Sequence, residues 1–492
     1  MSVATRSQDA LIAGEWIPGG AGSFEVRSPW DGSLVGVSAR CDAADVDRAV
    51  AAARRAQPGW AATPLLARVE LFDRAMEIAE GRNEAIARMI TAEMGKTIRE
   101  SREEMVEFAT PHFRRAAEDA LRYRGMVLPS TQEHTTAKRI LATRRPVGVV
   151  GVISPFNFPV DIAAITLTYS IVAGNAVVWK PSELTPLCCG LLAEVFHQAG
   201  LPAGVLNFVP GESDVGEALV AHPGVAAISF TGSTRVGEAI TRNAGVKRLL
   251  LELGGNGPQI VLADADLDRA ADAAVTGCFY MAGQVCTAAE RILVHEDVHD
   301  AFVAKLIERA RALRLGDPAE EDTDMGPLVN RAMLERVEGH VEAARRDGAE
   351  VVQVAESDGL LYPPTILTGV TPAMAIAREE TFGPVAPVIP FRSTDEAIAI
   401  ANDSPYALNA AAFTNDLRAA WRFAEELDHG TVLINETTNY WDQLAPFGGA
   451  KQSGLGRELS TWMLDSVTEC KTIVFDLSEA SEIVHEPGVR GA

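Results

Sequence analysis

From Ala137 onward, short β-branched runs alternate with helical segments and Gly/Pro turns, and no other feature constrains the fold of this chain as tightly. Val147 to Ile153, Ala176 to Trp179, Val205 to Val209, Ala226 to Phe230 and Leu249 to Leu253 read as strands. Strands separated by helical stretches predict a parallel sheet joined by crossover helices. A second such series begins near Pro258, with strands at Gln259 to Leu262, Arg291 to Val294, Val385 to Phe391, Ala410 to Thr414 and Thr431 to Asn435. Its helices are expected over Leu267 to Met281, Val298 to Arg314, Asn330 to Arg346 and Leu417 to Leu427. The first 125 residues read as mostly helical after a short extended start. One helix is expected from Ala43 to Gln57, ended by Pro58, and another from Ile98 to Arg122 with a kink at Pro111. The 492 residues exceed what one core usually holds, so the expected fold class is α/β with two domains.

Composition narrows the partners. A net charge of −23 argues against sequence-independent nucleic-acid binding and against an electrostatic membrane anchor. The apolar stretch Ile162 to Trp179 is long enough to test as a span, but its Thr, Ser and Gly-Asn positions predict a buried helix turning into a buried strand. The polar segment Met1 to Gln8 shows no secretory signal, and six scattered cysteines without CxxC spacing suit a reducing, cytoplasmic setting with no metal site.

Several residues carry possible chemistry, each with a plainer structural reading beside it. Cys286 lies among small residues after a helix; it is core filler unless its thiolate, an oxyanion site and a base are supplied from elsewhere. Glu252 ends an apolar strand beside Gly254 and Gly255, where desolvation would raise its pKa toward that of a general base. The alternative is a hydrogen-bonded structural carboxylate. Asn157 follows a strand end and is either a turn residue or an oxyanion donor. Gly232 and Ser233 open a helix after a strand, where free amides can hold a phosphate, although a simple strand-to-helix turn explains them equally well. Lys180, Ser182 and Glu183 follow another strand as a solvated cluster or a set of ribose-binding groups.

Taken together and in order, these segments resemble the aldehyde dehydrogenase superfamily over nearly the whole chain. The resemblance rests on Pro-Phe-Asn-Phe-Pro, Lys-Pro-Ser-Glu, Phe-Thr-Gly-Ser-Thr-Arg-Val-Gly, Glu-Leu-Gly-Gly-Asn and Gly-Gln-Val-Cys. It continues through Glu-Glu-Thr-Phe-Gly-Pro-Val and Pro-Phe-Gly-Gly-Ala-Lys-Gln-Ser-Gly. It implies two Rossmann-like α/β domains plus a small oligomerisation β segment. Coenzyme binding falls to residues 1–124 and 144–252, catalysis to 253–449, and oligomerisation to 125–143 and 469–492, with 450–468 returning to the coenzyme domain. It further implies that Cys286 attacks an aldehyde, that Asn157 and the Cys286 amide hold the oxyanion, and that Glu252 activates the water that hydrolyses the thioester. Lys180, Ser182, Glu183, Gly232, Ser233, Phe156, Glu380 and Phe382 would bind the dinucleotide, NAD ahead of NADP because Glu183 repels a 2′-phosphate.

By the same resemblance the substrate pocket involves Phe158, Phe113, Val285, Tyr440, Trp441 and Phe447, with Arg114 or His112 nearby. An aromatic wall suits a neutral aldehyde, whereas Arg114 would suit an anionic one. A homodimer or homotetramer is expected. Three competing readings remain at this point: a CoA-acylating enzyme, a cofactor-free thiol hydrolase, and a non-catalytic protein that keeps the fold. The presence of Glu252 disfavours the first.

Overall fold

The computed structural model describes residues 5–478. Two parallel sheets dominate it. The first contains β1 (Val149–Ile153), β2 (Ala176–Lys180), β3 (Leu206–Phe208), β4 (Ala227–Thr231) and β5 (Arg248–Glu252) in the spatial order β5-β4-β1-β2-β3. Antiparallel strands extend it, Gly454–Leu455 beside β5 and Ala10–Ile12 then Glu15–Ile17 beyond β3. The second contains β6 (Pro258–Val261), β7 (Arg291–His295), β8 (Thr365–Thr368), β9 (Val385–Phe391), β10 (Asn409–Phe413) and β11 (Thr431–Ile434) in the order β8-β9-β7-β6-β10-β11. Glu350–Gln353 pairs antiparallel on the outside of β8. Each sheet is covered by helices and has its own apolar core, as the two runs of alternating texture predict.

The stretch from Ile162 to Trp179 folds as expected. Asp161–Val172 is a buried helix, Gly174 turns the chain at φ +97°, and β2 returns through the sheet. Asn175 fastens the turn, donating to the carbonyls of Ser170 and Val467 and accepting from the Gly148 amide. Among the described residues, no helix is long and apolar enough to cross a membrane.

The helical expectations need three corrections. The helix that begins at Ala43 runs through Pro58 to Ala62. Trp60 is buried there and its indole N–H donates to the Ile171 carbonyl at 2.7 Å, so tertiary packing outweighs the hydrogen bond that Pro58 cannot make. Ile98 to Arg122 is not one kinked helix. Ile98–Glu103 passes into a π-helical turn, Glu104–Ala109, and Pro111 opens a new helix, Pro111–Arg122. Proline suits a first helical position because its missing N–H has no partner to lose there. Finally, the extended start reaches to Ala39 and contains five strands.

A third, small sheet stands apart. Thr468–Asp476 pairs antiparallel with Lys138–Pro146 along nine residues, and Met126–Leu128 lies on the other side. Met126, Val127, Leu128, Val474 and Phe475 are exposed on it. Residues 479–492 of the expected oligomerisation segment lie outside the described residues.

Candidate active site

The strands β1, β2, β4 and β5 run parallel, so their carboxyl ends share one edge of the sheet. That edge carries Asn157 after β1, Lys180 to Glu183 after β2, Gly232 and Ser233 after β4, and Glu252 as the last residue of β5. Ligands bind at this edge of open parallel sheets because backbone amides and loop side chains converge there.

Glu252 is 2% exposed, and neither carboxylate oxygen has a hydrogen-bond partner in the protein. The glycine-rich segment after Phe447 closes over it. A Cβ at Gly448, whose φ is +153°, would lie 2.6 Å from Glu252 Oε1. Burial first, and then the charge of Glu458, hold the Glu252 carboxyl well above the usual range, while the charge of Arg457 opposes this. Glu458 is itself buried, and burial together with Asp161 pushes it up to about 8.

The loop bearing Cys286 comes from the second sheet. The helix Leu267–Phe279 ends and Met281, Ala282 and Gly283 all adopt left-handed φ of 52°, 55° and 71°. Glycine is required at 283, where a Cβ would lie 2.2 Å from the Gly383 carbonyl oxygen. Gln284 then locks the loop: its Oε1 accepts from the Val329 amide at 2.9 Å and its Nε2 donates to the Met281 carbonyl at 3.1 Å. Within Met281 to Glu290, Cys286 alone is partly exposed and the rest are buried. Burial, followed by the charges of Glu252, Glu380 and Glu458, pushes its thiol above the ordinary cysteine value.

Three contacts join these pieces. Asn157 Nδ2 donates to the Gln284 carbonyl at 3.0 Å, placing the amide two residues from Cys286 and leaving its second N–H free. Gly255 lets the Cys286 backbone approach, since a Cβ there would lie 2.1 Å from the Cys286 carbonyl oxygen. The Gly255 amide donates to Glu380 Oε1 at 2.9 Å. Cys286, Asn157, Glu252 and Glu380 therefore occupy one site between the two sheets.

The other predicted residues divide. Lys180 is buried with its Nζ donating to Glu183 Oε2 at 3.0 Å. Burial alone would raise the Glu183 carboxyl, but the Lys180 ammonium and backbone hydrogen bonding outweigh it and hold it below the usual range. Ser182 Oγ accepts from the Leu184 amide. Ser233 is the N-cap of the helix Thr234–Asn243 without a capping side-chain bond, and a Cβ at Gly232 would crowd the Phe230 ring at 2.6 Å. Phe156 and Phe382 meet edge to face at 5.9 Å between ring centres.

Among the pocket candidates, Trp441 packs on Phe447 at 5.3 Å, Phe158 sits half-buried nearby in the same cluster, and Tyr440 is exposed. Two expectations are corrected. Phe113 is a core residue, 1% exposed and packed on Phe72 and Phe196, so it has no face to offer a substrate. Val285 is likewise buried among core side chains. Arg114 lines a separate cleft of about 340 Å³ with Met76, Glu80 and Gln443, and His112 is buried, 2.9 Å from Asp161.

Reading the sequence missed Glu290, whose carboxylate accepts from the Thr381 and Phe382 amides at 2.7 Å each and holds Phe382 at φ +57°. Burial and the charge of Glu380 push it up to about 8. It also missed Glu458, Gln284 and the charged set Lys96, Glu100 and Glu104. Glu100 and Glu104 stand four apart in a helical stretch, and that spacing was the available clue.

A thiol, an amide and a buried carboxylate converge between two α/β sheets. The chain belongs to the Aldehyde dehydrogenase family, whose profile matches residues 16–473. It is 37% identical over 449 residues to an aldehyde-dehydrogenase-like protein, y4uC, of Sinorhizobium fredii, covering 91% of this chain and 88% of that one. It also resembles the crystal structure of an NAD-dependent aldehyde dehydrogenase from Sinorhizobium meliloti, with 37% identity, 96% of each chain covered and a TM-score of 0.93. An NADP-dependent enzyme of E. coli matches with 36% identity and a TM-score of 0.93, covering 96% of this chain and 98% of that chain.

Proposed function

We propose that this enzyme oxidises a neutral, apolar or aromatic aldehyde to its carboxylic acid by a covalent, hydrolytic route. The observation that carries the reading is the buried and unpaired Glu252 carboxylate gathered with the partly exposed Cys286 and the Asn157 amide. Cys286 Sγ attacks the carbonyl carbon, its proton leaving to a nearby base. The oxyanion of the thiohemiacetal accepts hydrogen bonds from Asn157 Nδ2 and the Cys286 amide, donors already fixed before the charge develops. A nicotinamide dinucleotide supplies the hydride acceptor when bound. Loss of hydride leaves a thioester on Cys286, and Glu252 takes a proton from the water that cleaves it. A carboxylate in that role favours water over coenzyme A as the acyl acceptor, and the test is acid formation without added coenzyme A.

The residues at the sheet edge fit a dinucleotide. The uncapped helix start at Ser233, with Gly232 admitting no side chain, suits a pyrophosphate, and the Lys180–Glu183 pair suits a ribose. Glu380, Phe382 and Phe156 would flank the nicotinamide end. Glu183 favours NAD, because its carboxylate repels a 2′-phosphate and already neutralises Lys180. Glu183→Gln is expected to improve kcat/KM for NADP relative to NAD by roughly tenfold, the size of one lost charge–charge repulsion; an unchanged ratio would remove Glu183 from cofactor choice.

Trp441, Phe447 and Phe158 support a neutral substrate, and the position of Arg114 in another cleft supports it further. We assign coenzyme binding to 1–124, 144–252 and 450–468, and catalysis to 253–449. The exposed apolar strands at Met126–Leu128 and Thr468–Asp476 would pair subunits as a homodimer or homotetramer, since an uncovered edge readily adds another strand. Val127→Glu with Phe475→Glu should lower the mass measured by light scattering toward that of the monomer. A wild-type protein that is monomeric at micromolar concentration would contradict this. All six cysteines are free, which suits a cytoplasmic enzyme.

A further inference from the structure

Three charged side chains lie buried behind the active site without touching the place where a substrate would react. Lys96 immediately precedes Thr97, the N-cap of the helix Ile98–Glu103; Glu100 is in that helix and Glu104 opens the π-helical turn. Lys96 and Glu104 form an ion pair with both side chains fully buried. An ion pair so placed costs several kcal/mol per ion in desolvation and contributes little net stability by itself.

Their remaining hydrogen-bonding capacity is directed at two loops. Lys96 Nζ donates to the Asn157 carbonyl at 2.8 Å, lies 4.4 Å from the centre of the Phe158 ring, and approaches Met281 Sδ at 3.8 Å. Glu104 Oε1 accepts from the Val160 and Asp161 amides, each at 2.9 Å. These contacts hold Asn157 itself and the start of the helix that follows it. Glu100 Oε1 accepts from the Met281 amide at 2.8 Å, while its Oε2 closes the capping box with the Thr97 amide. Met281 is the first of the three left-handed residues leading to Cys286, a conformation unfavourable for a non-glycine residue unless its surroundings hold it.

We propose that Lys96, Glu100 and Glu104 act as one clamp that fixes the Asn157 loop against the Cys286 loop, making them positioning residues for the oxidation. This rests on the reading of Asn157 as oxyanion donor and Cys286 as nucleophile. The clamp ties both loops to one helix–turn segment, so the distance between donor and nucleophile is set by that segment. A displacement of about 1 Å at such a site can cost up to ~100-fold in rate.

The test is a double-mutant cycle on the full-length enzyme. Lys96→Met with Glu104→Gln removes both charges together, and the glutamine carbonyl can still accept from the Val160 and Asp161 amides. This protein is expected to show kcat lowered about 10- to 100-fold with KM changed less than about threefold. In an Asn157→Ala background the same pair of substitutions should cost about twofold or less, because the group being positioned is gone. A merely structural role predicts the same loss in both backgrounds, and that result, or an unchanged kcat, would overturn the clamp. Should the charge-neutral pair fail to fold, Glu100→Gln is compared in the same two ways, and full activity there overturns the proposal. If Asn157→Ala alone leaves kcat intact, the oxyanion reading fails first and the clamp falls with it, an outcome distinct from additive losses.

Discussion

Cys286→Ala is expected to abolish aldehyde-dependent NADH formation, lowering kcat on the order of 10⁴-fold or more, as removal of a covalent nucleophile does. Steady-state absorbance at 340 nm measures it. The expectation follows from accessibility as much as from chemistry. Cys41, Cys188, Cys189 and Cys278 are buried, and Cys470 lies on the small outer sheet. Of the two accessible thiols, the exposed Cys470 and the partly exposed Cys286, Cys286 stands beside an amide donor and a carboxylate. Removing its sulfur creates little void, so the variant should fold and melt close to the parent enzyme. An active Cys286→Ala enzyme would end the assignment.

Glu252→Gln is expected to separate the two halves of the reaction. Acylation should proceed, giving a burst of about one NADH per site, while turnover falls by about 10²–10⁴-fold as general-base assistance is lost. The pH dependence has a definite sign. Burial and Glu458 hold the Glu252 carboxyl above its ordinary value, so the ionised fraction able to accept a proton grows as pH rises. Turnover of the parent enzyme should therefore rise with pH over a range above that of an ordinary carboxylate, and Glu252→Gln should lose that limb. Stopped-flow traces across pH check both statements. Loss of the burst in a folded Glu252→Gln protein would mean that the carboxylate also takes part in acylation.

Much of this was legible in the chain because it is local. Alternation of β-branched runs with helical stretches located both sheets, and strand ends singled out Glu252 and Gly232, where glycines follow or form the turn, and Lys180, where Pro181 follows. What escaped depends on distant packing. Trp60 carries its helix past Pro58 through a hydrogen bond to Ile171, 111 residues away. Phe113 looks like any other pocket aromatic until Phe72 and Phe196 enclose it. Nothing local marks Glu104 in its helical stretch or Glu290 in its loop. Only the fold shows that the amides they accept from belong to the Asn157 and Phe382 segments. The acidic net charge remains a property of the surface: the groups that would hold an anionic dinucleotide are a lysine already paired with Glu183 and a helix start.

The central claim is that the reaction passes through an acyl group on Cys286 that Glu252 helps water to remove. Mass spectrometry of acid-quenched Glu252→Gln enzyme, mixed with NAD and an aromatic aldehyde, tests it directly. The account predicts a stoichiometric adduct with the mass of the acyl group, mapping to the peptide that contains Cys286 and absent when NAD is omitted. An unmodified Cys286 in an enzyme that has produced its burst of NADH, or an adduct on another residue, would contradict it.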